Sequence, residues 1–315
     1  MTFRLPRREF LAASATTALV SLTPAVPQFL LRAAEQSAAA RGEHLLVVLQ
    51  LTGGNDGLNT VVPFRDEEYR RRRPTLAIGE NQALKLNDEL GLHPSLGGLH
   101  SLWDAGQLAV VQGIGYPNPN RSHFESMDIW HTARFKADAR AVGWLGRYLD
   151  ASAGNVGGYD ARAIHIGPEV QPLALAGATP PAASLRSVDQ FRLALGADAA
   201  GRRQRLEGIA EQPRNDGNDL LQFVRTTTLS ALKTSRQVEA AAAQRATSVA
   251  YPGSELGNKL ETIARLIDAG LNTRVYYVSL DGFDTHATQP AAHAALMQQW
   301  GDAVKAFYAD LTQRG

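Results

Sequence analysis

The run His44-Leu45-Leu46-Val47-Val48-Leu49-Gln50-Leu51, closed by Thr52-Gly53-Gly54-Asn55-Asp56-Gly57, decides the fold class. A continuous apolar stretch of this length, stopped by glycines, reads as a strand buried on both faces, and such strands belong to parallel sheets with helices outside them. Downstream, Ser95 to Ala105 carries Leu96, Leu99, Leu102 and Trp103 at helical spacing and closes at Gly106, and Leu108 to Ile114 reads as a second apolar strand. Helix is expected from Ser122 to about Phe135, strand at Ala163 to Ile166, a Pro- and Ala-rich loop near 171–184, and helices through 189–247. Glu255 to Ala269 is amphipathic, with Leu256, Leu260, Ile263, Leu266 and Ile267 inward and Gly270 as cap. Arg274 to Leu280 alternates into a strand, and a last helix spans roughly Ala291 to Thr312. Strands alternating with helices give an α/β expectation: a mostly parallel sheet with helices on both faces and a helical insertion or cap at about 185–250.

Composition sets outer bounds on function. With 315 residues, 44% hydrophobic and 20% charged, the chain can bury a sizeable core. Its net charge of +1 removes the electrostatic argument for nucleic acid or an anionic membrane surface as partner. The absence of cysteine excludes disulfides, thiol nucleophiles and thiolate-bound zinc, so metal chemistry falls to Asp, Glu, His and hydroxyl ligands.

Residues 1–40 read as an address. Arg7-Arg8 precede Phe10-Leu11 and a modestly apolar, Ala- and Leu-rich stretch to about Leu31, which is the layout of a twin-arginine export signal. Pro24 and Pro27 interrupt that stretch, so no stable membrane span is expected. The segment contributes Arg4, Arg7, Arg8 and Arg32 against Glu9 and Glu35, and its removal takes the net charge from +1 to about −1. The expected partner during export is the twin-arginine translocase, and the expected destination is periplasmic or extracellular. Residues 41–315 form the expected α/β domain.

Three polar clusters fall at strand ends, where ligands bind in open parallel sheets. Asp56, with Asn55 beside it among glycines, is either a hard metal ligand at the sheet edge or part of an ordinary Gly-rich turn. Ser122, between Arg121 and His123, sits at a helix start, where it is either a nucleophile or, with Glu125 three residues on, a capping box. Asp284 and His286 follow the strand ending at Leu280 and share a face, so both can reach one ion; the competing reading is a helix-entry loop. Asn55, Arg121 and His123 are the candidate substrate-binding residues. Arg70 to Arg73 read as a solvated charged face, and His93, His100, His131, His165 and His293 as surface or satisfied core residues. No Gly-x-Ser-x-Gly elbow, His-Glu-x-x-His helix, EF-hand loop, dinucleotide fingerprint or phosphate loop occurs.

Taken in order, Arg7-Arg8 with Phe10-Leu11, Gly53-Gly54-Asn55-Asp56-Gly57-Leu58-Asn59, Leu92-His93-Pro94, Arg121-Ser122-His123-Phe124 and Gly282-Phe283-Asp284-Thr285-His286 resemble an exported bacterial family, domain of unknown function 1501. That family is similar to a distant branch of the alkaline phosphatase and sulfatase superfamily. The resemblance implies an alkaline phosphatase-like sheet with Asp56, Asp284 and His286 as ligands of one or two divalent ions (Zn, Ca, Mg or Mn). It also implies Ser122 as nucleophile and a phosphate or sulfate ester as the anionic substrate. The alternative implied is a non-catalytic exported binding or assembly protein with the same fold. The family usually has Gly where this chain has Asp281, so no role carries to that residue. It also continues to a strand and a Thr-Asp-His-Gly motif, so the C-terminal part of the domain, with further ligands, is expected to lie beyond Gly315.

Overall fold

A computed structural model describes residues 44–135, 141–152, 161–178, 181–186, 199–211, 219–242, 247–271 and 273–315. The paired arginines and the rest of residues 1–40 lie outside the described residues, as do parts of the expected insertion. The apolar opening run forms β1 (Leu46–Leu51), followed by a one-turn helix α1 (Gly57–Thr60), β2 (Val61–Val62), α2 (Glu67–Arg72), β3 (Leu84–Lys85) and β4 (Gly91–Leu92). Then come α3 (Gly97–Asp104), α4 (His123–Thr132), α5 (Trp144–Ala151), β5 (Ala163–Ile166) and β6 (Ala183–Leu185). The rest of the order is α6 (Ala199–Glu211), α7 (Asp219–Ala242), α8 (Glu255–Asp268), β7 (Val275–Leu280) and α9 (Gln289–Arg314).

The main sheet has the order β1-β7-β5-β6, and each of its pairings is parallel. A small antiparallel sheet, β2-β4-β3, is not hydrogen-bonded to it, though its Leu92 shares the core of β7, and it has no counterpart in the sequence reading. Period-two alternation sends β7 side chains to two cores. Tyr276, Val278 and Leu280 pack with Leu99 and Leu102 of α3, Leu256, Leu260 and Ile263 of α8, and Met297, Ala303 and Phe307 of α9. Val275 and Tyr277 face the other way, onto Leu145 and Leu149 of α5 and Leu175. Helices therefore cover both faces, as expected, and α6 and α7 fall within the predicted insertion.

One expected strand is absent. Leu108 to Ile114 is irregular, with Val111 74% and Ile114 63% exposed. Its apolar composition carries strand propensity, but a strand also needs a ladder partner, and Gly113 at φ +72° breaks the extended run. β1 pairs with β7, and its side chains are half-buried rather than buried. Among the described residues no helix is long and apolar enough to cross a membrane.

The fold brings two loops together at the carboxyl ends of adjacent strands. Thr52 donates its amide to Leu280 O at 2.9 Å, and Phe283 returns a bond to Thr52 O at 3.1 Å, so the loops after β1 and β7 are stitched to each other.

Candidate functional site

Asp56 ends the β1 loop and caps α1, accepting from the Asn59 amide at 3.2 Å. Its carboxylate is also held by a two-pronged ion pair with Arg73, whose Nη1 lies 2.8 Å from Oδ1 and whose Nη2 bonds Oδ2, and by the Gln289 side-chain amide. The two side chains are only 13% and 18% exposed. Burial alone pulls the Asp56 carboxyl up, but the Arg73 hydrogen bonds and charge, the Asn59 amide and Gln289 outweigh it and leave the group below the ordinary aspartate value. Arg73 thus departs from the sequence reading. Arg71 and Arg72 pair with Glu68 on an exposed face as expected, whereas Arg73, the C-cap of α2, turns inward.

Around this pair lies a polar cluster that draws on the β1 loop, α1, α2, the residue after β4 and α9. Arg73 Nη1 also reaches Asn59 Oδ1 at 3.0 Å, which accepts from Tyr69 OH at 2.8 Å. Asn55 Oδ1 faces His293 Nε2 at 3.1 Å, and its Nδ2 donates to Thr60 at 2.9 Å. His293 meets His93 edge-on at 5.3 Å between ring centroids, and both rings are buried. His93 and His293 are satisfied buried residues, as expected, but they surround the β1 loop rather than a remote core.

Burial first, then the neighbouring His293, push His93 down from 6.5 to about 4, with Asp56 opposing. The unfolded residue binds a proton below about pH 6.5 and the folded one only below about 4, so folded stability is full above 6.5 and falls as pH drops toward 4. The loss attributable to His93 is on the order of 3 kcal/mol. Urea unfolding between pH 7 and 4.5 is expected to show this slope, and His93→Asn is expected to flatten it. An unchanged slope in the variant contradicts the assignment.

A second cluster lies across the two glycines. Asp284, on the β7 loop, has its Oδ1 2.8 Å from His286 Nε2 and 3.4 Å from His123 Nε2. The structure thus joins the predicted pair to His123, the first residue of α4. Backbone at positive φ makes this possible: a Cβ on Gly53 (φ +103°) would stand 2.8 Å from Asp284 N, and one on Gly54 (φ +83°) 2.7 Å from His123 Cε1. The three side chains are half-exposed or more. Gln289, three residues past His286, links the same loop to Asp56.

Ser122 is the N-cap of α4, and its Oγ accepts from the Glu125 amide at 3.5 Å. That is a long bond for a cap, and it leaves the exposed hydroxyl weakly committed. The Ser122 amide donates to Asn120 Oδ1 at 2.8 Å, which fixes the turn into the helix. Arg121 is exposed on the same loop.

Among the described residues no group of three or more His, Asp or Glu side chains is placed to hold a metal ion. At Asp284 two imidazole nitrogens approach one carboxylate oxygen in a solvent-exposed setting, whereas the Asp56 carboxylate is neutralised by Arg73.

Sequence reading missed Arg73, Gln289 and the partnership of His93 with His293. Their signal is weak, because Arg73 and Gln289 reach Asp56, and His293 reaches Asn55 and His93, from elsewhere in the chain.

No curated protein and no solved structure matched the chain. The family model described as protein of unknown function (DUF1501) matches residues 43–315, which include both loops, α4 and every residue of the two clusters, and the chain belongs to that family.

Proposed function

We propose that the protein is an exported, metal-dependent hydrolase of phosphate or sulfate esters, built on an alkaline phosphatase-like variant of the α/β fold and carried out of the cytoplasm by the twin-arginine translocase. The observation that carries this reading is the convergence of Asp284, His286 and His123 at the carboxyl ends of β1 and β7, beside the helix that Ser122 caps. Asp284, His286 and His123 would hold a divalent cation on rearranging from their present contacts, and Asp56 would join them if it exchanged its Arg73 ion pair for the ion. Two imidazoles with a carboxylate favour Zn or Mn over Ca or Mg, whose preferred ligands are oxygens. When bound, the cation polarises the ester's anionic oxygens.

Ser122 Oγ would attack the phosphorus or sulfur atom, losing its proton as the bond to the alcohol oxygen breaks and the alcohol leaves protonated. Water would then hydrolyse the serine ester to release phosphate or sulfate and restore the hydroxyl. The N-terminal end of α4, with its positive helix dipole, would favour the charge that accumulates on the transferred group. Arg121 and Asn55 help to hold the anion.

Ser122→Ala is expected to lower kcat for generic aryl phosphate and sulfate esters by at least about a hundredfold, since it removes the attacking atom. The variant should keep its circular dichroism spectrum and metal content. Hydrolysis unchanged by Ser122→Ala would falsify the nucleophile assignment. The competing reading, a non-catalytic exported binding protein, is favoured if the wild-type chain carries the metal and hydrolyses none of these esters.

A further inference from the structure

On the α5 face of the sheet, a cleft of about 290 Å³ opens between β1 and α4. Its walls include Gln50, Met127, Trp130, His131, Trp144 and Tyr277, and none of its lining residues is an acid, a lysine or an arginine. The polar floor is already satisfied internally. Gln50 Oε1 lies 2.6 Å from His131 Nε2 and accepts from Tyr277 OH, while Gln50 Nε2 donates to Thr52 at 2.7 Å. With the floor occupied by its own bonds, the cleft offers a ligand mainly aromatic and aliphatic surface. Burial pushes the Tyr277 phenol up and the His131 imidazole down, so both are neutral near pH 7.

Trp130 is 48% exposed, and Tyr116 meets it edge-on at 6.3 Å between ring centroids, extending the aromatic wall outward. An indole half in water beside an open apolar cleft is a common feature of ligand sites rather than of core packing. The cleft also has a fixed relation to the catalytic cluster. His123, Met127, Trp130 and His131 are spaced four, three and one residues apart, which places them on one stripe of α4. At 1.5 Å per residue, the cleft residues lie about 6 to 12 Å along the axis from His123.

We infer that this cleft is a binding subsite for a flat aromatic ring, with Trp130 as its outer wall. Resting on the function proposed above, the ring is the aryl group of an ester whose anionic head reaches Asp284, His286 and His123. The protein is then an aryl-ester hydrolase that discriminates against alkyl esters of the same charge.

Ring binding can be measured without any ester or turnover, by saturation-transfer NMR and calorimetry with 2-naphthol against decahydro-2-naphthol as the saturated control. The expected result is saturable binding of 2-naphthol, at least about tenfold tighter than its saturated analogue. Trp130→Ala is expected to weaken that binding about tenfold, and Trp130→Phe, which restores a ring, to recover most of it. Because Trp130 is half-exposed, both variants should keep the wild-type circular dichroism spectrum, which is recorded alongside. Absence of 2-naphthol binding, equal binding of the saturated analogue, or full affinity in a folded Trp130→Ala protein overturns the inference. Ring binding that follows this pattern in a protein hydrolysing no ester upholds the subsite and overturns the hydrolase reading instead.

Discussion

Arg73→Ala is expected to cost about 3 kcal/mol of folding stability, the low end of the range for breaking a buried ion pair. The loss arises because Asp56 keeps its charge in a site where its side chain is 13% exposed, with Gln289 and the Asn59 amide as its remaining partners. Restoring neutrality should restore much of the stability. In the double variant Arg73→Ala/Asp56→Asn, an uncharged amide oxygen can still accept from Asn59, and the cycle of four proteins isolates the coupling. Urea unfolding at pH 7 measures each corner. Freed from its guanidinium, Asp56 should also respond to divalent ions, so Zn or Mn is expected to stabilise Arg73→Ala more than the wild type. A cost below about 1 kcal/mol, the size typical of a surface pair, contradicts a buried, structurally required contact. A normal cost with no differential metal effect keeps the ion pair and removes Asp56 from the ligand set.

The second large effect concerns the paired glycines. Gly53→Ala and Gly54→Ala both place a side chain at positive φ, which costs roughly 1–2 kcal/mol before any contact is considered. What each new methyl meets then separates them. At Gly53 it meets the Asp284 backbone nitrogen at 2.8 Å, within two loops stitched together by Thr52, so the backbone has to shift and a total loss above about 3 kcal/mol is expected. At Gly54 it meets the edge of the His123 ring at 2.7 Å, and a side chain can rotate away. Gly54→Ala is therefore expected to fold, to swing His123 off Asp284, and to lower metal affinity and ester hydrolysis at least about tenfold. Combining it with His123→Ala distinguishes this from a general loosening: if Gly54→Ala acts through His123, it adds little to the activity already lost in His123→Ala. Additive losses contradict that route.

These two sites show how far the sequence could be read. Local patterns were legible: the apolar run that became β1, the helical spacing of Leu256 to Ile267, and the Gly-rich turns at strand ends, because periodicity and turn chemistry are properties of neighbouring residues. The three polar clusters could be located for the same reason. Which residues they would meet could not. Arg73 belongs to a run of four arginines of which two pair on an exposed face with Glu68, and nothing within that run distinguishes the one that turns inward. His123 looked like a neighbour of Ser122, and its approach to Asp284 depends on the loop after β7 meeting the start of α4, a contact between segments far apart in the chain. Leu108 to Ile114 is the converse case, with strand composition but no ladder partner, and pairing is a non-local property.

The most direct test of the account is the metal content of the purified protein, measured by inductively coupled plasma mass spectrometry on the wild type and on Asp284→Asn after dialysis against Zn or Mn. Asp284 is the residue to change because both imidazoles converge on its Oδ1. The account predicts about one divalent ion per wild-type chain and near-complete loss in a variant that remains folded. Wild-type protein with no stoichiometric metal, or Asp284→Asn that retains it in full, contradicts the account.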